Sequence, residues 1–257
     1  MKFPVYFLGA GPGDPELLTL KAARLLHDCQ TVYVPPLYEQ TFADLLAGKE
    51  LLIPFDYRFA DLLAQIEERS RRAPVAFLIP GDLTFYSPFQ ALVDALGKQA
   101  VVVPGVGTAN AAAALLKKTL DLPGVSNRAV LASPRTLGDS PDAPTMQQLA
   151  APGVTLLIYM NNIPLDELVA QLRRGYGKNV PIALAHRVGL PDQDLLVGRL
   201  DDIVAKVGGR DLFNLNSPDR RPALTLILVG ESLTGQADST WWDYRHETIW
   251  KCRGGES

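Results

Sequence analysis

The sequence predicts an α/β protein made of two α/β domains with mostly parallel sheets. Three observations lead there. Short apolar runs recur along the whole chain, at residues 5–8, 31–34, 75–79 and 100–103, and again at 129–131, 155–159, 182–185 and 224–229. Several are almost wholly apolar, as strands buried on both faces must be. Between them lie stretches with helical spacing: Leu17, Leu18, Ala22, Leu25 and Leu26; Phe59, Leu62, Leu63 and Ile66; and Leu165, Leu168, Val169 and Leu172. Strands alternating with helices build parallel sheets covered on both sides. Finally, an alanine-rich helical stretch at 108–116 runs into Lys117 and Lys118 and then Leu122-Pro123-Gly124, a Pro-Gly stop that divides the chain into similar halves. We place the domains at 1–118 and 119–257.

Composition narrows the class. The 257 residues are 47% hydrophobic and 21% charged, with a net charge of −3, which suits a globular chain with a large core. That balance carries no broad basic footprint for nucleic acid. Cys29 and Cys252 form no CxxC pair and no zinc-type spacing, so two unpaired thiols and no metal site are expected. The N-terminus lacks the basic head and cleavage site of a signal peptide, and no apolar run approaches the roughly 18 residues needed to cross a bilayer. A cytoplasmic protein without a membrane partner is expected. All three tryptophans, Trp241, Trp242 and Trp250, sit near the C-terminus. The tail is expected to fold back and bury them; the alternative is a dimer surface or an active-site cover.

Chemistry concentrates in three loops that each follow a strand. The first is Gly9-Ala10-Gly11-Pro12-Gly13-Asp14-Pro15, where glycines allow close backbone approach to a ligand. It is not a dinucleotide fingerprint, because Asp14 stands where that pattern needs glycine and Pro12 removes an amide donor. No GKS or GKT follows, which excludes a Walker loop. The second loop runs Pro80-Gly81-Asp82-Leu83-Thr84-Phe85-Tyr86, and the third Pro104-Gly105-Val106-Gly107-Thr108. Ligands of open α/β sheets bind at the strand C-termini where such loops gather.

These motifs identify a resemblance. Gly9 to Asp14 followed by Leu17-Leu18-Thr19-Leu20-Lys21, with Pro80-Gly81-Asp82 and Pro104-Gly105-Val106, resembles the tetrapyrrole methylases over nearly the whole chain. Leu122-Pro123-Gly124-Val125-Ser126, Pro191-Asp192-Gln193-Asp194 and Asp243-Tyr244-Arg245 are most similar to the branch acting on carbon 11 of precorrin-4 or cobalt-precorrin-4. Leu83 stands where the family usually has proline, and Tyr33-Val34-Pro35-Pro36-Leu37-Tyr38 replaces a Tyr-Ala-Gly-Ser-Leu type of segment.

The resemblance implies a homodimeric methyltransferase that binds S-adenosylmethionine between its domains and takes a tetrapyrrole substrate. It implies cofactor contacts from Pro12, Pro80, Gly81, Asp82, Phe85, Gly107, Thr108, Met160, Ala183 and Val188. With the methyl already activated, the protein must chiefly align the reactants. Asp14 is the candidate catalytic group, with a helix-capping role as its alternative. Precorrins carry many carboxylates, so Arg58, Arg135 and Arg187, each beside an expected strand end, are candidate substrate contacts with Tyr86 and His186. The alternatives are a divergent paralogue with another substrate, including diphthine or ribosomal RNA, and a non-catalytic tetrapyrrole- or nucleotide-binding module.

Overall fold

In a computed structural model, residues 2–137, 142–218 and 223–251 are described. Cys252 and residues 219–221 of the polar excursion before the last strand lie outside them. The chain forms two compact units, Met1–Ala112 with Arg187–Gln193, and Ala113–His186 with Asp194–Ser257.

The first unit runs β1 (Val5–Gly9), α1 (Leu20–His27), β2 (Thr31–Tyr33), α2 (Pro36–Thr41), α3 (Ala43–Leu46), β3 (Glu50–Leu52), α4 (Phe59–Arg69), β4 (Val75–Ile79), α5 (Gln90–Leu96), β5 (Ala100–Val103) and α6 (Thr108–Leu116), the last crossing into the second unit. Its sheet has the order β3-β2-β4-β1-β5 and is parallel throughout. Side chains alternate across a strand, so each central strand feeds two cores. Leu8, Val32, Ala76, Leu78 and Val103 pack with Ala22 and Leu26 of α1 and with Tyr38, Phe42 and Leu46. Val5, Phe7, Tyr33, Val75 and Phe77 pack on the other face with Leu62 and Ile66 of α4 and Leu92 of α5. The register sets Phe77 opposite both Phe7 and Tyr33, and the three rings stack across three strands at 4.9 and 4.4 Å.

The second unit adds β6 (Arg128–Ala132), α7 (Pro134–Leu137), α8 (Met146–Leu149), β7 (Val154–Ile158), α9 (Leu165–Tyr176), β8 (Pro181–His186), β9 (Asp194–Arg199), α10 (Ile203–Val207), β10 (Thr225–Val229) and α11 (Ser239–Arg245). Its sheet has the order β6-β7-β10-β8-β9. Only β6 and β7 pair in parallel; β7 with β10, β10 with β8, and β8 with β9 are antiparallel. The expected α/β class with two sheets holds, but the parallel pairing expected of both sheets is corrected for this one. A strand buried on both faces gives the same apolar run whichever way its neighbours point. One face of the sheet is covered by Leu168, Val169, Leu172 and Tyr176 of α9 and by Ile203 and Val207 of α10. Gly177 ends α9 in the left-handed conformation at φ +67°, its N–H returning to the Arg173 carbonyl.

Two strands have no counterpart in the sequence reading, β3 and β9. Both lie at sheet edges and are half-exposed, and each carries only a three-residue apolar stretch, at 51–53 and 195–197. The expected burial of the tryptophans is also corrected. Trp241, Trp242 and Trp250 remain 40%, 62% and 37% exposed. They are satisfied locally instead: Trp242 and Trp250 pack edge to face at 4.7 Å, and the Arg245 guanidinium lies 4.5 Å over the Trp241 ring. No helix among the described residues is long and apolar enough to cross a membrane.

Candidate active site

The three loops of the first unit are bound to one another through their backbones. Gly11 and Gly81 exchange both hydrogen bonds of an antiparallel bridge, at 3.1 and 2.7 Å. Gly9 and Gly105 lie so close that a Cβ on Gly9 would stand 2.4 Å from the Gly105 nitrogen. A Cβ on Gly105 would meet the Gly81 carbonyl at 2.4 Å. These glycines are required by close contact between backbone segments, because no other residue fits between the strands' ends. A Cβ built on Gly81, at φ +66°, would stand 3.5 Å from Thr108 Oγ1, so the second loop lies beside the start of α6.

Asp82 ties the second loop to the third. One carboxylate oxygen accepts the Gly105 N–H at 2.7 Å; the other accepts the Thr84 N–H at 2.7 Å and the Thr84 hydroxyl. Burial raises its pKa, but these donors outweigh burial and leave the carboxyl below its ordinary value. Leu83, in the position of the family's usual proline, is buried with Phe77 and Phe89, so the departure serves the core. Tyr38 anchors the first loop from below: its buried hydroxyl donates to the Gly11 carbonyl at 2.9 Å. It lies in the segment read only as a departure from the family. No local signal marks it, because its partner is 27 residues away.

A fourth segment joins this set. Residues Arg187–Gln193, between β8 and β9, belong to the first unit. Leu190 is buried in that unit's core, and a Cβ on Gly13 would strike its Cδ2 at 2.5 Å. Gly189 sits against Pro12 and the Asp14 backbone.

Other expected site residues fall as follows. Asp14 caps the short 3-10 turn that follows it, accepting the Glu16 N–H at 2.9 Å, which is the structural alternative weighed for it. Pro12 and Val188 are buried, Gly107 is half-buried, and Pro80 and Phe85 are exposed. Ala183 is fully buried in the middle of its strand. Arg58 is exposed at the start of α4, and Arg135 is half-buried on α7. The Arg187 Nε lies 2.6 Å from the Asp192 carboxylate, a local ion pair that holds the guanidinium within its own loop. His186 Nδ1 lies 2.6 Å from Thr225 Oγ1.

Backbone strain singles out the same positions. Five non-glycine residues adopt positive φ among those described, and three are Tyr86 (+55°), Met160 (+47°) and Arg187 (+52°), each in the segment following a strand. Such conformations cost about 1–3 kcal/mol each and collect at functional sites. No group of three or more His, Cys, Asp or Glu side chains among the described residues is placed to hold a metal ion.

A parallel sheet whose strand ends carry three interlocked glycine loops, with a second, mixed sheet, is the arrangement of a methylase of tetrapyrroles. The chain belongs to the tetrapyrrole (corrin/porphyrin) methylases, whose family model matches residues 4–204. A Pseudomonas aeruginosa protein named precorrin-4 C(11)-methyltransferase is 32% identical over 254 residues, covering 96% of this chain and 98% of the relative. Among solved structures, a cobalamin biosynthetic enzyme, cobalt precorrin-4 methyltransferase, shares the fold with a TM-score of 0.75 at 22% identity, over 90% of this chain and 96% of that one. A uroporphyrin-III C-methyltransferase from Thermus thermophilus, complexed with S-adenyl homocysteine, matches with a TM-score of 0.66 at 25% identity, over 90% of this chain and 98% of that one.

Proposed function

We propose that this chain transfers a methyl group from S-adenosylmethionine to carbon 11 of precorrin-4 or cobalt-precorrin-4, in cobalamin biosynthesis, and that it works as a homodimer. The observation that carries the reading is the end-to-end likeness to the Pseudomonas aeruginosa relative of that name. The glycine loops fit the donor: their backbones approach without side chains between them, leaving main-chain polar groups and small side chains to line a ligand.

S-adenosylmethionine supplies an electrophilic methyl on a sulfonium, so no protein nucleophile is needed. The chain's own residues bind and orient. Pro12, Pro80, Gly81, Phe85, Gly107 and Thr108 are the proposed donor contacts, with Met160 and Val188. Asp82 acts on that site mainly by fixing the third loop, since both its oxygens are engaged within the protein. Arg58, Arg135, Arg187 and Tyr86 are the proposed partners of the substrate's carboxylates.

The test is incubation of the purified protein with isotopically labelled S-adenosylmethionine and, separately, precorrin-4, cobalt-precorrin-4 and earlier precorrins, following label by mass spectrometry. One new methyl on carbon 11 of precorrin-4 or its cobalt form is expected. Label on a different intermediate would move the substrate while keeping the reaction. Binding of S-adenosylhomocysteine without transfer to any tetrapyrrole would overturn the proposal.

A further inference from the structure

A single buried hydroxyl stands where the first two glycine loops meet. Tyr38 is 2% exposed, and its hydroxyl donates to the Gly11 carbonyl at 2.9 Å. The same carbonyl accepts the Gly81 N–H at 2.7 Å, while the Gly11 N–H returns to the Gly81 carbonyl at 3.1 Å. The Gly81 amide also lies close enough to lower the pKa of the phenol, but burial raises it by more, so the group stays a protonated donor at neutral pH. One side chain from α2 thus bears on both loops at once.

Local sequence aims the ring. Pro35 is extended at φ −63° and ψ 138°, and Pro36 opens α2 at its first position, where a missing N–H leaves no bond unmade. The Tyr38 N–H returns to the Pro35 carbonyl at 2.9 Å. The ring packs with Phe42, centroids 5.3 Å apart, and joins Ala10, Leu18 and Leu190 in one core cluster. Two consecutive prolines fix φ just before the tyrosine, and close packing fixes its ring, so the hydroxyl has little freedom of its own.

What it holds is soft by nature. Gly11 and Gly81 sit at φ +72° and +66°, and glycine has the widest choice of backbone conformation. Two hydrogen bonds between two glycines leave the bridge easily opened. A third bond, from a rigid side chain, holds both glycines in one arrangement. Ordering a binding loop before its ligand arrives lowers the cost of binding. The ring itself is too buried to line a site, so it acts through the two glycines. We propose that Tyr38 is a positioning residue for the methyl donor: its hydroxyl holds the Gly11–Gly81 bridge in the arrangement that presents Pro12, Pro80 and Gly81 to S-adenosylmethionine. The assignment rests on the donor-site reading above.

The test separates positioning from packing. Y38F keeps the ring and removes only the hydroxyl. V32A thins the same core at a β2 residue outside the loops. Y38F should weaken S-adenosylhomocysteine binding about five- to tenfold by calorimetry, the measure of one hydrogen bond. Its KM for S-adenosylmethionine should rise by the same factor, with kcat and the KM for the tetrapyrrole within about twofold of the unaltered enzyme. Amide exchange at Gly81, followed by NMR, should quicken in Y38F while the amides of Val75–Ile79 keep their rates. V32A should lower the urea midpoint and leave S-adenosylhomocysteine affinity within about twofold. Undiminished affinity in Y38F, or an equal loss of affinity in V32A, would overturn the assignment while leaving the methyltransferase reading intact. Failure of the unaltered protein to bind S-adenosylhomocysteine would overturn the donor reading and the assignment together.

Discussion

At the scale of single residues, the site's glycines differ sharply in what they would tolerate. Gly105 is closed in by backbone on two sides, whereas Gly48, at φ +75°, has nothing within 4 Å of the place its Cβ would take. G105A must push apart two loops that cannot yield separately. We expect it to cost about 1–3 kcal/mol of stability by overpacking and to abolish S-adenosylhomocysteine binding. G48A should cost only the left-handed strain of about 1–2 kcal/mol and leave binding unchanged. Urea denaturation and calorimetry on the pair separate the two effects. Asp82 gives a pH test. Its folded pKa lies below the unfolded value of about 3.9, so its stabilisation is fully present above that pH and is lost as pH falls through the folded value. D82A should therefore be about 1.5–3 kcal/mol less stable than the unaltered protein near neutrality, and the gap should close below about pH 4. A gap that stays constant into acid would show that the carboxylate charge contributes nothing.

At the scale of elements, the segment from Arg187 to Gln193 matters more than its polar sequence suggests. Leu190 is buried in the first unit's core, packed where Gly13 leaves room. L190A should cost about 2–5 kcal/mol as a buried leucine truncation and speed amide exchange across residues 10–14, read by hydrogen-exchange mass spectrometry. The C-terminal α11 and the turn after it should behave oppositely. Trp242 is largely exposed and contacts chiefly Trp250, so W242A should cost no more than the roughly 0.5–1.5 kcal/mol of an aromatic pair. A loss of several kcal/mol would mean that the tail is a core element.

At the scale of the molecule, two compact units share one chain that does not divide at a single point. The first unit takes back seven residues, Arg187–Gln193, long after the chain has entered the second. No composition shift signals this, since the segment's commitment depends on which core Leu190 reaches. The proposed homodimer is checked by light scattering at micromolar concentration, where twice the chain mass is expected and the single-chain mass would refute it.

The sequence by itself determined the class, the central strands and the three loops. Those features are local: a doubly buried strand must be apolar along its length, and a strand-end loop that touches another backbone must carry glycine. Val75–Ile79 and Ala100–Val103 occur where the apolar runs stand, and Gly9, Gly81 and Gly105 meet as loop residues at strand ends. Only the tertiary structure decided strand direction in the second sheet, the edge strands β3 and β9, the exposure of the tryptophans and the partners of Tyr38 and Thr225. Each depends on residues far apart in the chain or on water at an edge. Strand direction leaves no mark on a doubly buried run, a half-wet edge strand carries only a short apolar stretch, and a hydroxyl's partner 13 or 27 residues away has no local pattern.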